Sequence, residues 1–71
     1  MTRETAAAIS ALMLRIGDEL SESVGDCVAR ESAEVHERYR DVVSKLMFTM
    51  LTEVMNPIYA EHPDIKPPEL K

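Results

Sequence analysis

The chain has 71 residues and a net charge of −5, and it is 45% hydrophobic and 30% charged. This composition excludes the disordered class, and a single cysteine excludes an internal disulfide, so we expect so small a core to be stabilised by association with a second chain. The basic residues alternate with acidic ones and form no patch for a polyanion, so we expect no binding to nucleic acid.

The first predicted element is an amphipathic helix over about residues 4–24, with Thr2 or Thr5 as its N-terminal cap. The apolar stretch from Ala6 to Ile16 is too short to span a bilayer, and the acidic residue Glu4 lies just before it. We therefore expect neither a signal peptide nor membrane association. Apolar residues recur in steps of three and four and form one stripe, which passes Gly17 without a change of phase: Ile9, Leu12, Met13, Ile16, Leu20 and Val24.

A turn is predicted at Gly25–Asp26, because this glycine follows the last residue of the stripe and suits a left-handed helix cap. Asp26 is then placed to cap the next helix. Two alternatives stay open: a single rod over about residues 4–56, since the apolar stripe can drift through this region, and a chain that turns at both glycines. The favoured fold is an all-α, two-helix antiparallel hairpin.

The second predicted helix covers about residues 26–56 and either ends or restarts at Asn56–Pro57, since proline disfavours a helical conformation in the residue before it. Its first half is highly charged, and we expect these charged residues to form a solvent-exposed face. In its second half, apolar pairs from Val42 to Tyr59 cover roughly 220–260° of the helix circumference, whereas one neighbouring helix buries only about 100°.

The predicted first helix is about ten residues shorter than the second, so the end of the second helix should overhang by about 15 Å. Such an apolar overhang exceeds what soluble monomers tolerate, and we expect two hairpins to form a dimeric four-helix assembly. Its interface is predicted at eight residues: Val43, Leu46, Met47, Met50, Leu51, Val54, Met55 and Ile58.

Residues 61–71 are predicted to form an extended, proline-rich tail beyond a helical hairpin domain at 1–60. Ile65 and Leu70 are the apolar residues of this tail. We expect the stretch to about Pro68 to dock on the apolar face of the second helix, because that wide face needs cover. The alternative is a mobile tail that is free to bind a partner.

The residues that could carry chemistry are isolated in the sequence. His36 reads as a surface histidine, His62 lies among prolines, and Cys27 has no histidine or second cysteine nearby. We therefore predict no catalytic, cofactor or metal site, no small-molecule substrate and no enzymatic activity. The lone cysteine favours a reducing compartment, and we expect a cytoplasmic protein.

The predicted function is that of a non-enzymatic, homodimeric helical interaction or regulatory protein that binds another protein. The alternative is an obligate subunit or small chaperone whose Met-rich helix is completed by a different polypeptide. Flexible methionine side chains form adaptable surfaces for apolar helices, although they also fill ordinary cores.

Overall fold

The computed structural model describes residues 1–70, which fold into two helical arms that run antiparallel, followed by a short C-terminal segment. The first arm is helix α1, Arg3–Arg30. The second arm has three consecutive helical segments: α2 (Ala33–Thr49), a π-helical turn (Met50–Met55) and α3 (Asn56–Glu61). No strand occurs in the part of the chain that the structure describes, and the predicted all-α hairpin is confirmed.

The chain turns at Glu31–Ser32, so the predicted turn at Gly25–Asp26 and the predicted helix bounds 4–24 and 26–56 are wrong. Gly25 has no positive φ and lies inside α1. Ser32, and not Asp26, caps the second arm: its hydroxyl accepts a hydrogen bond of 3.4 Å from the backbone N–H of Val35. At the other end of α1, the predicted cap Thr2 is confirmed, since its side chain accepts from the N–H of Thr5.

The two arms have almost the same length, and this explains why the helix continues through Gly25. Helix α1 has 28 residues, and the second arm has segments of 17, 6 and 6 residues. A glycine inside a helix costs about 1 kcal/mol relative to alanine. Pairing along the full length of both arms offsets that cost and gives a molecule 44 Å long. The predicted overhang of the second helix does not exist.

The second arm contains a π-helical turn immediately before Pro57. Proline has no N–H, and its ring collides with the carbonyl four residues earlier in an α-helix, so the chain widens one turn to pass it. The backbone N–H of Asn56 accordingly donates to the carbonyl of Leu51, five residues before it. The helical path therefore continues beyond Asn56, which is the first residue of α3 and not its N-cap.

This wide turn also accounts for the broad apolar arc in the sequence. One extra residue in a turn rotates everything after it by roughly 100° relative to an unbroken α-helix. In the folded chain Val43 before the turn, Met55 at its end and Ile58 after it are all buried. The broad arc thus consists of two apolar stripes, one before the π turn and one after it. The π turn aligns the two stripes, and the first arm buries much of each.

The core lies at the open end of the hairpin, where the chain termini meet. Ala6 of α1 packs there with three residues of the second arm: Met55, Ile58 and Tyr59. Ser10 is buried beside them, and its Oγ lies 2.6 Å from the hydroxyl oxygen of Tyr59. This hydrogen bond satisfies the two buried hydroxyl groups and joins α1 to α3.

The C-terminal segment forms 3₁₀ turns at Pro63–Ile65 and Pro68–Leu70, and not the extended tail that was predicted. Its docking is confirmed, because Ile65 packs against the core at the open end of the hairpin. Leu70 does so as well, beyond the predicted limit of Pro68. Prolines start both turns, where a missing N–H costs nothing.

Candidate protein-interaction site

A groove of about 520 Å³ runs between the two arms on one side of the hairpin, and four of the five methionines of the chain line it. We call it the methionine groove; these side chains are Met13, Met47, Met50 and Met55. Leu14, Gly17, Phe48, Leu51 and Leu70 complete its apolar surface, and Asp18, Ser21 and Ser44 contribute polar groups.

Gly17 gives the groove its floor. A Cβ atom built at this position would lie 3.8 Å from the Cε of Met47, which is ordinary van der Waals distance. The thioether of Met47 therefore lies over the bare backbone of α1. The π turn supplies Met50 and Met55 to the same side of the second arm, and Leu70 of the last 3₁₀ turn lies against the groove.

The largest apolar side chain beside the groove is turned toward solvent. Phe48 is 67% exposed, and Leu51, one turn further along, is also exposed. Aromatic side chains dominate the energetics of interfaces because each buries a large apolar area. An exposed phenylalanine at the rim of a flexible apolar groove is an arrangement suited to holding a protein partner.

A second apolar surface lies on another side of α2, and we call it the tyrosine face: Val35, Tyr39, Val42 and Leu46. Three of these positions line a hollow of about 340 Å³, and the valines and Leu46 are exposed by close to half. Tyr39 reaches across to α1, where its hydroxyl oxygen lies 2.7 Å from Ser23 Oγ. This contact places Tyr39 of α2 beside Ser23 of α1 along the length of the hairpin.

The eight residues predicted as a dimer interface fall in three different places. Val43, Met55 and Ile58 are buried within the chain, and Val54 packs against the same core. Met47, Met50, Leu51 and Met55 line the methionine groove, and Leu46 belongs to the tyrosine face.

Sequence reasoning missed the contributions of Met13, Gly17 and Phe48 to the groove, because the position of the turn decides which parts of the two arms face each other. The apolar spacing of Val35, Tyr39 and Val42 did indicate a stripe, but the predicted hairpin placed that stripe alongside the first helix. In the structure both valines are exposed by close to half.

Two ion pairs hold the N-terminus at this end of the hairpin, one with α3 and the other with the C-terminal segment. The Met1 amine lies 3.0 Å from Glu61 Oε1, and Arg3 Nη2 lies 2.6 Å from Asp64 Oδ2. The hydrogen bond and charge of the amine lower the pKa of the Glu61 carboxyl, and the hydrogen bond from Arg3 lowers the pKa of Asp64. His62 Nε2 lies 3.1 Å from the Met1 carbonyl oxygen, which adds a further contact at this end.

His36 is half-buried, contrary to the expectation of a surface histidine, and its Nδ1 is buried without a hydrogen-bond partner in the chain. Cys27 is half-buried inside α1, so it does not lie at a helix N-terminus as the predicted turn implied. Within residues 1–70, no three side chains of the types that ligate metals lie close enough together to hold an ion.

Comparison of the chain with protein-family models, with curated proteins and with solved structures gives no match. None of the helices in residues 1–70 combines the length and the apolar character needed to cross a membrane. The function must therefore be argued from the surfaces of the hairpin itself.

Proposed function

We propose that this protein is a non-enzymatic, homodimeric interaction protein that binds an apolar helix of another protein in its methionine groove. The observation that carries the proposal is the position of Phe48, 67% exposed at the rim of a groove lined by four methionines. Exposure of so large an apolar side chain to water is unfavourable in free energy, and burial against a partner would remove that penalty.

The shape and chemistry of the groove favour a helix as the occupant. Both arms line the groove, with Leu14 and Gly17 on α1 and Met47 and Met55 on the second arm. Unbranched thioether side chains adapt to differently shaped apolar surfaces, which suits an amphipathic helix with apolar residues in steps of three and four. The polar groups of Asp18, Ser21 and Ser44 are available to the polar edge of such a helix.

The small size of the core supports an associating protein. Only five hydrophobic residues are buried in residues 1–70: Ala6, Val43, Met55, Ile58 and Tyr59. A chain of this length rarely obtains more than a few kcal/mol from its own core, about 3–5 kcal/mol. Burial of further apolar surface between chains would raise that stability.

The same observation supports a second candidate, in which the chain is an obligate subunit or small chaperone completed by a different polypeptide. In that case the isolated chain would be molten, with helical far-UV circular dichroism but no dispersed methyl signals in NMR spectra. The first candidate requires a folded, self-associated protein in the absence of any other polypeptide.

The proposed protein acts in the cytoplasm and binds neither nucleic acid nor a small molecule. The single cysteine suits the cytoplasm, where thiols stay reduced. The alternation of acids and bases along both arms offers no basic surface to nucleic acid. We place no small-molecule substrate, cofactor or metal in the groove.

The test uses methionine methyl groups as reporters. The tagged chain is expressed in its native host, its stoichiometric partner is identified, and the purified partner is titrated into the chain labelled with ¹³C at the methionine methyls. We expect the signals of Met47, Met50 and Met13 to shift on binding. Met1 lies outside the groove and serves as the internal control. Absence of a stoichiometric partner, or shifts confined to Met1, would contradict the proposal.

A pair of variants completes the design. Phe48→Ser removes the exposed ring at the groove and should weaken partner binding by about tenfold or more, because a hot-spot side chain contributes more than about 1 kcal/mol. Val42→Ser makes a comparable change on the tyrosine face and should leave partner binding unchanged. Equal affinities of the two variants would show that the groove is not the binding site.

A further inference from the structure

We propose that the C-terminal segment, residues 63–70, competes with partner helices for the methionine groove, so that a partner must displace part of it in order to bind. The inference rests on the proposed function and adds a regulation of the same site. It starts from the position of Leu70, which lines the groove and also packs against the core at the open end of the hairpin. The segment is therefore an intramolecular occupant of the groove.

Leu70 covers apolar surface that a partner would need. Met55 is a member of the core and lines the groove, and Met13 and Leu14 of α1 line the groove and pack against the same core. Leu70 is half-buried beside them. Because the hydrophobic effect is not directional, an apolar side chain of a partner helix would be stabilised equally well in this place. The two side chains exclude each other.

The groove is too short to hold a helix beside Leu70. The residues of α1 that line it extend from Met13 to Ser21, which is about 12 Å along the helix axis. A partner helix that inserts three apolar side chains in steps of four and three needs about 10.5 Å. Such a helix occupies nearly the full length of the groove, including the part that Leu70 covers.

The segment is attached in a way that permits its release. None of residues 63–70 is buried. Among residues 1–70, no backbone hydrogen bond joins the segment to either arm, since its own bonds stay within the segment or reach the carbonyl of His62 just before it. The segment can therefore leave the hairpin by local unfolding, without unpairing any backbone group of the two arms.

An ion pair outside the groove holds the segment in place. Arg3 of α1 donates from Nε to Asp64 Oδ2 at 2.7 Å, and its Nη2 lies 2.6 Å from the same oxygen. Neither residue lines the groove, so this contact affects the groove only through the segment that it retains. The apparent affinity of a partner is its intrinsic affinity multiplied by the fraction of molecules in which the segment is released.

The experiment uses a synthetic amphipathic peptide as the probe. The peptide has about 20 residues, leucines in steps of three and four, and equal numbers of lysine and glutamate, so that it forms a neutral helix. It is titrated into the full chain labelled with ¹³C at the methionine and leucine methyls. We expect the signals of Met13 and Met47 to shift as the peptide binds, and those of Leu70 to move to the position of an exposed leucine.

Leu70→Ser removes the internal competitor. It should raise the affinity for the peptide about three- to tenfold, since a half-buried leucine contributes part of the stabilisation of a fully buried one. Glu69→Ala changes the exposed neighbour in the same 3₁₀ turn and should leave the affinity unchanged. Phe48→Ser should weaken binding of the peptide in the natural chain and in Leu70→Ser alike, which identifies the groove as the site of binding.

Asp64→Asn is the second variant, because it loosens the segment without changing the lining of the groove. The affinity for the peptide should rise about two- to threefold, the effect of losing an exposed ion pair. Glu34→Gln removes the exposed ion pair with Arg38, remote from the segment, and serves as the matched control. Unchanged affinity in Asp64→Asn would overturn the role assigned to this ion pair.

These outcomes are separable from those of the proposed function. Equal or lower affinity in Leu70→Ser, or Leu70 signals that keep their position in the complex, would mean that Leu70 does not compete for the groove. Either result would overturn the inference while the proposed function stands. A peptide that binds neither the natural chain nor Leu70→Ser would contradict the proposed function and overturn the inference with it.

Discussion

The hydroxyl oxygen of Tyr59 lies 2.6 Å from Oγ of Ser10, which is 49 residues earlier, and both side chains are buried. The pair joins the first arm to α3 at the end of the hairpin where the core lies. Tyr59→Phe or Ser10→Ala leaves the other hydroxyl buried without a partner, and we expect either change to lower the free energy of unfolding by about 1–3 kcal/mol. Urea unfolding at a fixed protein concentration measures this effect.

The second hydroxyl pair provides the matched control for that prediction. Tyr39 meets Ser23, but Ser23 Oγ also donates to the carbonyl of Leu20, and the site is only partly buried. Tyr39→Phe should therefore cost less than Tyr59→Phe. Equal costs for the two phenylalanine variants would contradict the assignment of the core to the open end of the hairpin.

Replacement of Gly25 by alanine should stabilise the protein by about 0.5–1 kcal/mol, because Gly25 lies inside a helix with open space around its Cα. Gly17→Ala should give a similar gain, since the new Cβ would contact Met47 at an ordinary distance. Thermal unfolding followed by circular dichroism measures both. A loss of stability in Gly25→Ala would indicate a left-handed glycine and a turn at that position.

Replacement of Ser32 by alanine should lower stability by about 1 kcal/mol, because it removes the N-terminal cap of α2. Asp26→Ala is the informative comparison, since Asp26 is the cap only if the chain turns at Gly25. Measured at a protein concentration that keeps both variants fully associated, Asp26→Ala should change stability by less than about 0.5 kcal/mol. The reverse order of the two effects would place the turn at the glycine.

The C-terminal segment should detach in acid. The pKa values of Glu61 and Asp64 are lowered by the Met1 amine and by Arg3, so the stabilisation they give is complete above the ordinary carboxyl pKa of about 4. It is lost as the pH falls through the lowered pKa values. The methyl signal of Ile65, followed by NMR from pH 6 downward, should report this release.

Arg3→Gln should move the acid release of the segment to higher pH, since Asp64 then loses the hydrogen bond that lowers its pKa. Arg38→Gln, remote from the segment, should leave the profile unchanged. A profile of Ile65 that does not respond to Arg3→Gln would show that this ion pair does not hold the segment.

Deletion of residues 63–71 should lower the thermal midpoint at equal protein concentration, because Ile65 and Leu70 pack against the core. Ile65→Ala should reproduce part of the loss, about 1 kcal/mol for a partly buried side chain. Glu69→Ala changes an exposed residue of the same segment and should be neutral. An unchanged midpoint after deletion would mean that the segment does not contribute to the fold.

The local features of this protein could be predicted from its residues alone. Amphipathic periodicity indicated the helical class, and Thr2 was one of the two predicted candidates for the first cap. Each of these depends on residues close together in the chain, where propensity and hydrogen bonding act directly.

The position of the turn and the distribution of the apolar residues between core and surface depend on how the two arms pack. A helical Gly25 costs a small amount of free energy, and the pairing of two full-length arms offsets it. The sequence around Gly25 gives no indication of the free energy gained by that pairing. Arg30, Ser32 and Glu34 do provide end signals for the true turn, but the prediction considered turns only at the two glycines. The π turn before Pro57 then rotates the last apolar stripe into line with the first. That rotation determines which residues enter the core and which remain on the groove and the tyrosine face. A helical projection at a constant 100° per residue misses it, because the π turn contains one extra residue.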